Sequence, residues 1–303
     1  MDLSVIVVSY NTKALLKDCL KSVEDQTRGI SFEVFVVDNA STDGSSQMVK
    51  RFFPKVKILE NQENLGFAAG NNKALYKSSG RFLLLLNSDT KLIENSLEKM
   101  VSFMEKNKKI GISSCQLINP DGSVQASGGF FPNFLRIFTW MFFLDDLPFV
   151  SSLIKPFHPH VPSFYLKQKW FEEDHSQDWV TGAFFLMSRE VFKKIGGLDE
   201  KFFMYAEEME FCYRAKKAGF EVNYTPRTKI IHLGGGSGGS ENAIFGEFMG
   251  LKYFFDKHCP HWQTSFLRFL LKLGALLRFL IFGIMGEVAF PKRKAYAKVL
   301  RKI

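Results

Sequence analysis

The sequence predicts an α/β fold: a mostly parallel, Rossmann-like sheet flanked by helices, followed by an amphipathic helical extension at the C-terminal end. Three observations carry that prediction. The first 118 residues alternate short, unbroken apolar runs with stretches of helical spacing, and unbroken apolar runs belong to strands covered on both faces. A polar cluster closes each apolar run, at the end of the strand where open α/β sheets bind their ligands. Finally, the charge is polarised. Residues 251–303 hold eleven Lys/Arg against two acids, so the whole net charge of +9 lies there and residues 1–250 are neutral.

The elements follow in order. Residues 3–8 (LSVIVV) are the first expected strand, and residues 12–26 form a helix whose apolar side carries Leu16, Leu20 and Val23. A second strand at 34–37 ends at Asp38. A short helix at 45–53, a strand at 56–59 and a helix at 68–78, closed by Gly80, come next. The FLLLL run at 82–86 is a fourth buried strand, ending at Asn87-Ser88-Asp89, and Asn119-Pro120-Asp121-Gly122 predicts a hairpin. Residues 128–178 are rich in Phe, Trp and Pro without a period, an irregular and partly apolar excursion. Order resumes in an apolar strand at 179–188 that contains Trp179, Thr181 and Gly182. A helix at 207–218, stopped by Gly219, and strands at 221–224 and 229–233 follow. The glycine run at 234–239 has the composition of a linker. The expected division is therefore one domain over residues 1–240 and an extension over 241–303.

Four cysteines, Cys19, Cys115, Cys212 and Cys259, lie far apart with no CxxC pair. That spacing speaks against a zinc site or a disulfide framework and suits a reducing cytosol. The start of the chain lacks the basic segment of a signal peptide, so none is expected. A cationic end on a neutral domain suits an anionic surface; its greasiness favours lipid over nucleic acid. Residues 266–285 are long enough to span a bilayer, but Arg268, Lys272 and Arg278 interrupt them. At 100° per residue these three share an arc of about 120°, which predicts a helix lying in the membrane interface. Lys292, Arg293, Lys294, Lys298, Arg301 and Lys302 would add on the order of 1 kcal/mol each at an anionic surface.

The residues with chemical potential sit at the strand ends. Val7-Val8-Ser9-Tyr10-Asn11 comes first, then Val37-Asp38-Asn39-Ala40-Ser41-Thr42-Asp43-Gly44 and Asn64-Leu65-Gly66-Phe67-Ala68-Ala69-Gly70-Asn71-Asn72. Leu86-Asn87-Ser88-Asp89, Phe203-Met204-Tyr205-Ala206-Glu207-Glu208 and Ile231-His232 complete the series. Each alone has a plain structural explanation: Asp38 can open a turn, Asp43 can cap the next helix, and acids suit a helix N-terminus. In this order, over roughly residues 3–240, they resemble the family-two inverting glycosyltransferases of GT-A fold, especially bacterial rhamnosyltransferase-like members.

The resemblance implies roles. Asp38 and Tyr10 would hold the nucleotide of a UDP- or dTDP-sugar donor, with Ser9, Asn11, Asn64, Gly66 and Asn71 around it. Asn87-Ser88-Asp89 occupies the place of the family's DxD motif, which makes Asp89 the expected ligand of Mg²⁺ or Mn²⁺, a hard cation that takes oxygen ligands. Asn87 departs from the usual acid. Glu208 corresponds to the base that takes the acceptor hydroxyl's proton, with Glu207 beside it and Glu210 where many members have Asp. His232 would contact metal or diphosphate, and the glycine run could close over phosphates. Trp179, Thr181 and Gly182 fall on the acceptor side. No Gln-x-x-Arg-Trp signature of a processive synthase is present, so transfer of a single sugar is expected. The implied acceptor is a polyprenyl-linked glycan at the cytoplasmic face of the membrane, in cell-surface polysaccharide synthesis. A nucleotidyltransferase would show a Gly-rich basic loop after the first strand, and Ser9-Tyr10-Asn11-Thr12 is not one. A non-catalytic nucleotide-sugar-binding subunit would bind donor without turnover.

Overall fold

The computed structural model describes residues 1–158, 169–234, 240–286 and 289–303. The chain opens with β1 (Leu3–Ser9), α1 (Lys13–Gln26), β2 (Phe32–Asp38), α2 (Ser45–Phe52), β3 (Lys57–Glu60), α3 (Gly66–Leu75) and β4 (Phe82–Leu86). It continues through β5 (Thr90–Leu92), α4 (Ser96–Lys106), β6 (Ile110–Ile118), β7 (Val124–Gln125), α5 (Phe134–Met141), α6 (Pro148–Leu153) and β8 (His175–Ser176). Then come β9 (Phe184–Ser188), α7 (Arg189–Ile195), α8 (Glu207–Lys217) and β10 (Glu221–His232), and finally α9 (Ser240–His258), α10 (His261–Ile284) and α11 (Phe290–Lys302).

One sheet runs β3-β2-β1-β4-β9-β6-β10-β5, with β7 on β6 and β8 on β10. β1 to β4 are parallel to one another, as are β6 and β10. β9 enters antiparallel between β4 and β6. The apolar runs are continuous because both faces are covered: Val5, Ile6 and Val7 are all fully buried, as are Leu83, Leu84 and Leu85. Val5 and Val7 pack with Leu16 and Leu20 of α1 and Met100 of α4 on one face. Ile6, Leu83 and Leu85 join Ala74 of α3, Met209 of α8, Phe248 of α9 and Leu271 of α10 on the other. The C-terminal helices thus share the core of the sheet's second face. Each such side chain contributes about 1.5–3 kcal/mol by leaving water.

Several expectations shift in detail. The 179–188 strand shortens to β9: the ring of Phe67 stands 3.0 Å from where a Cβ on Gly182 would be, and Thr181 Oγ1 accepts the Ala183 N–H, which together form a turn. The strands at 221–224 and 229–233 are one strand, β10, whose register slips between Thr225 and Lys229; Pro226 there has no N–H for the ladder. The 119–122 hairpin joins β6 to β7. Asp43 accepts the N–H groups of Ser45 and Lys13, the first residues of α2 and α1, and so fixes both helix starts. The excursion contains α5 and α6, while residues 159–168 of it, and 235–239 of the glycine run, lie outside the described residues.

The basic arc on α10 needs correction. Arg278 is buried, 4% exposed, and donates to the carbonyls of Met141 and Trp140 at the end of α5. Its guanidinium lies 4.3 Å from the Phe143 ring centroid. A planar cation with several donors satisfies the free carbonyls at a helix C-terminus, a use that helical spacing alone cannot distinguish from a solvated charge. No helix among the described residues is long and apolar enough to cross a membrane.

Candidate active site

The carboxyl ends of β1 and β4 are lashed together by hydroxyls. Thr12 Oγ1 lies 2.9 Å from Ser9 Oγ and donates to Ser88 Oγ at 3.1 Å. Beside them an asparagine chain ties the next loops: Asn61 donates to Asn39, whose own amide reaches Asn64 Oδ1 and the Gly66 carbonyl. Gly66 has φ +79, and a Cβ there would sit 2.2 Å from the Phe203 carbonyl oxygen. Phe67 N–H donates to that same oxygen at 2.8 Å. The start of α3 is therefore clasped to the 203–206 loop, and only glycine permits the approach.

Tyr10, Asn64, Gly66, Asn87, Ser88 and Asp89 line one cavity at these strand ends. Four other residues expected around a donor stand apart from its lining. Ser9 is buried in the hydroxyl chain, Asn11 binds the backbone of Thr42, and Asn71 spends its amide on the Phe67 carbonyl. Asp38 is 4% exposed; one oxygen accepts the Ser41 N–H at 3.2 Å, while Oδ1 has no hydrogen-bond partner among the described residues.

Asp89 and His232 meet because β5 pairs with the end of β10, placing His232 opposite Thr90. Leu233 N–H also donates to the Asp89 carbonyl at 2.9 Å. His232 Nε2 lies 3.4 Å from Asp89 Oδ1, and its Nδ1 lies 2.9 Å from Gln125 Oε1. The Gln125 amide oxygen takes Nδ1 and so holds the ring with Nε2 turned toward the Asp89 carboxylate, the arrangement that orients a metal-binding imidazole. Among the described residues no cluster of three or more His, Cys, Asp or Glu could hold a metal. Among the described residues the pair leaves most of a hard cation's shell to oxygens from a ligand such as a diphosphate or from water.

The acids sit behind a strained turn. Tyr205 and Ala206 have φ of +75 and +71, a conformation costing about 1–2 kcal/mol per non-glycine residue, and Ala206 directly precedes α8. Glu207 is buried, and its Oε2 has no partner among the described residues. Burial and the adjacent Glu208 push its carboxyl well above the usual range. Glu208 lines a second cavity, of about 280 Å³, with Trp179, His158 and Glu247. Burial raises its pKa despite a bond from the Gly182 N–H and the nearby His158. Desolvation here outweighs the helix-dipole argument for an ionised acid. A group with a raised pKa is a stronger proton acceptor once ionised.

α9 closes over this turn. Gly246 and Gly250 face it so closely that a Cβ would lie 2.6 Å from the Tyr205 ring and 2.7 Å from Ala206 Cβ. A third cavity, of about 420 Å³, lies on the other side of that contact and is lined by Tyr10, Tyr205, Phe245 and Met249. Tyr205 borders both cavities.

The glycosyl transferase family 2 model matches residues 4–196. The chain belongs to glycosyl transferase family 2. The N-acetylglucosaminyl-diphospho-decaprenol L-rhamnosyltransferase of Mycobacterium tuberculosis is 26% identical over 293 residues, spanning 91% of each chain. The O-antigen biosynthesis protein RfbC of Myxococcus xanthus is 28% identical over 76% of this chain and 17% of its own length. Among solved structures, the mannosyltransferase PcManGT of Pyrobaculum calidifontis, in complex with GDP-Man and Mn²⁺, superposes with a TM-score of 0.59 at 18% identity. That match covers 99% of this chain and 85% of the other, and it supports the GT-A fold.

In this family 2 glycosyltransferase, Glu210 turns away from the cavities. Fully buried, it accepts from Arg214 Nε, Lys257 Nζ at 2.7 Å and His258 Nε2 at 3.0 Å, so it bolts α8 to α9. Thr181 and Gly182 form the turn under Glu208. His158, Glu247 and Gln125 have no place in the sequence motifs. Only the G-x-x-x-G spacing at 246–250 hinted that α9 approaches a backbone closely.

Proposed function

We propose that this glycosyltransferase moves a single sugar, with inversion, from a UDP- or dTDP-sugar to a saccharide on a lipid carrier. The observation that carries this reading is Glu208, a carboxylate lining a cavity whose Tyr205 wall is one residue from Met204 of the strand-end cavity that holds Asp89. The donor would lie along Tyr10, Asn64 and Gly66, with the unpartnered Asp38 oxygen and the Asn87-Ser88-Asp89 turn nearby. Asp89 and His232 would hold Mg²⁺ or Mn²⁺ against the diphosphate, and the cation would offset charge building on the leaving group. Glu208 takes the proton from the acceptor hydroxyl as its oxygen attacks the anomeric carbon from the side opposite the diphosphate. The glycan-diphosphate-lipid acceptor named for the mycobacterial relative fits this reading.

The C-terminal helices would bring the enzyme to its acceptor. Phe266, Phe269, Leu273, Leu276, Leu280 and Ile284 are exposed along one line of α10, at helical spacing. Exposed Lys292, Arg293 and Lys294 lie beyond it. An apolar stripe beside cations suits peripheral attachment to an anionic membrane, here its cytoplasmic face.

A screen of nucleotide sugars for metal-dependent binding and slow hydrolysis tests the function. Binding should require Mn²⁺ or Mg²⁺ and should vanish in Asp89→Ala, with the melting temperature kept. Full activity in EDTA would refute the metal assignment, and donor binding without sugar release would favour a non-catalytic subunit.

A further inference from the structure

The cavity beside Glu208 has a wall that the proposed chemistry leaves unused. Glu247 projects from α9 on the same face as Gly246 and Gly250, and it pairs with His158 Nε2 from the segment after α6. Both side chains remain about a quarter exposed, at 27% and 29%, and both line the cavity. Opposite them the Trp179 ring stands edge-on to His158 at 5.4 Å, with Phe157 beside it at 6.0 Å. Trp179 is 7% exposed, and its indole N–H has no partner among the described residues.

Folding alone gives little reason for this arrangement. Glu247 adds a carboxylate beside Glu208, and like charges in a shielded space oppose one another. A buried indole N–H without an acceptor also costs free energy. Both features make sense if something else fills the space. Aromatic walls suit the apolar C–H face of a pyranose, while a carboxylate, an imidazole and an indole N–H suit its hydroxyls. The volume of about 280 Å³ lies just below the roughly 300–1,000 Å³ of small-molecule pockets, enough for one sugar unit.

We propose that this cavity is the acceptor subsite, that its occupant is the terminal pyranose carrying the attacking hydroxyl, and that the His158–Glu247 pair is its specificity-determining contact. The assignment rests on the reading of Glu208 as base. Glu247 accepts from a hydroxyl next to the attacking one and sets the sugar's rotation, Trp179 covers its face, and the attacking hydroxyl is left against Glu208. α9 is then part of the working enzyme rather than of an appendage.

The test uses the full-length enzyme, its hydrolysable donor, and a panel of octyl glycosides and short polyprenyl-diphosphate sugars of hexoses and N-acetylhexosamines. In Glu247→Gln and His158→Ala, KM for the sugar used by the wild type should rise about 10–100-fold, the range for a lost hydrogen bond to a charged group. Donor affinity should stay within about twofold. Trp179→Phe, which keeps the ring and loses the N–H, should show a smaller rise. Glu247→Gln should melt close to the wild type, since its amide oxygen can still meet His158 while a charge beside Glu208 is removed, which separates a binding defect from a folding one. An unchanged acceptor KM, or a fall in donor affinity that matches the acceptor defect, would overturn the assignment. So would a wild type that hydrolyses donor but accepts no sugar of the panel. Absence of donor binding altogether would instead refute the proposed function.

Discussion

Gly250→Ala adds one methyl group to the middle of α9, and its outcome follows from two opposed terms. In an exposed helix alanine would stabilise by about 1 kcal/mol over glycine. Here the new Cβ would stand 2.7 Å from Ala206 Cβ and 2.9 Å from the Tyr205 carbonyl oxygen, where carbon atoms normally rest about 3.5–4.0 Å apart. α9 and the turn must therefore separate by roughly 1 Å, and overpacking of that kind costs about 1–3 kcal/mol. The turn cannot yield cheaply, because Tyr205 and Ala206 already occupy left-handed backbone. The net loss is about 0–2 kcal/mol, or a fall of no more than roughly 8 °C in melting temperature. Function should suffer more. Glu208 starts two residues after Ala206, and a displacement of about 1 Å at a reacting group can cost on the order of 10²-fold. Thermal melts alongside transfer rates at saturating donor check both numbers. A variant that melts higher and transfers within twofold of the wild type would show that α9 does not seat the turn before Glu208.

Two further outcomes follow from the same geometry. Glu207 holds its proton more tightly in the folded chain than in the unfolded one, so folding stability falls as pH rises from the ordinary carboxylate range through its raised pKa. Glu207→Gln should remove that fall and raise the melting temperature at pH 8 more than at pH 5; equal shifts at both would contradict the assigned burial. Replacing Phe269, Leu276 and Ile284 together by Ser should release the protein from anionic vesicles without lowering its melting temperature, because all three are exposed. If the triple variant still binds in about 0.5 M salt, where charge is screened beyond roughly 4 Å, the stripe is not the attachment surface.

The parallel half of the sheet was legible because its strands are buried on both faces and leave unbroken apolar runs: the run at residues 82–86 is β4 to the residue. The motifs at the ends of β1, β2 and β4 were legible for the same reason, since each strand declares where it stops. β6 was not singled out, as Gly111, Ser113 and Ser114 dilute its apolar run, and their burial depends on neighbours far along the chain. α9 escaped notice because its apolar residues surround it rather than forming a stripe. Its small face meets the turn, while Phe248 and Leu251 meet the core. Glu247 and His158 belong to segments that come together only in the fold, and no local spacing links residues 89 apart. The charge on Arg278 misled for a related reason: its partners are carbonyls of α5, invisible to a helical projection.

As the proposed base, Glu208 takes the acceptor's proton. Glu208→Gln keeps the shape and the bond from the Gly182 N–H but cannot accept a proton, so transfer at saturating donor and acceptor should fall about 10²–10⁴-fold. Donor affinity and acceptor KM should hold within about threefold. In the wild type, the acid limb of the rate profile should rise through a pKa above the usual carboxylate value, as the burial of Glu208 requires, and the variant should lose that limb. A Glu208→Gln enzyme that transfers sugar at the wild-type rate, or whose only defect is weaker donor binding, would show that the base lies elsewhere.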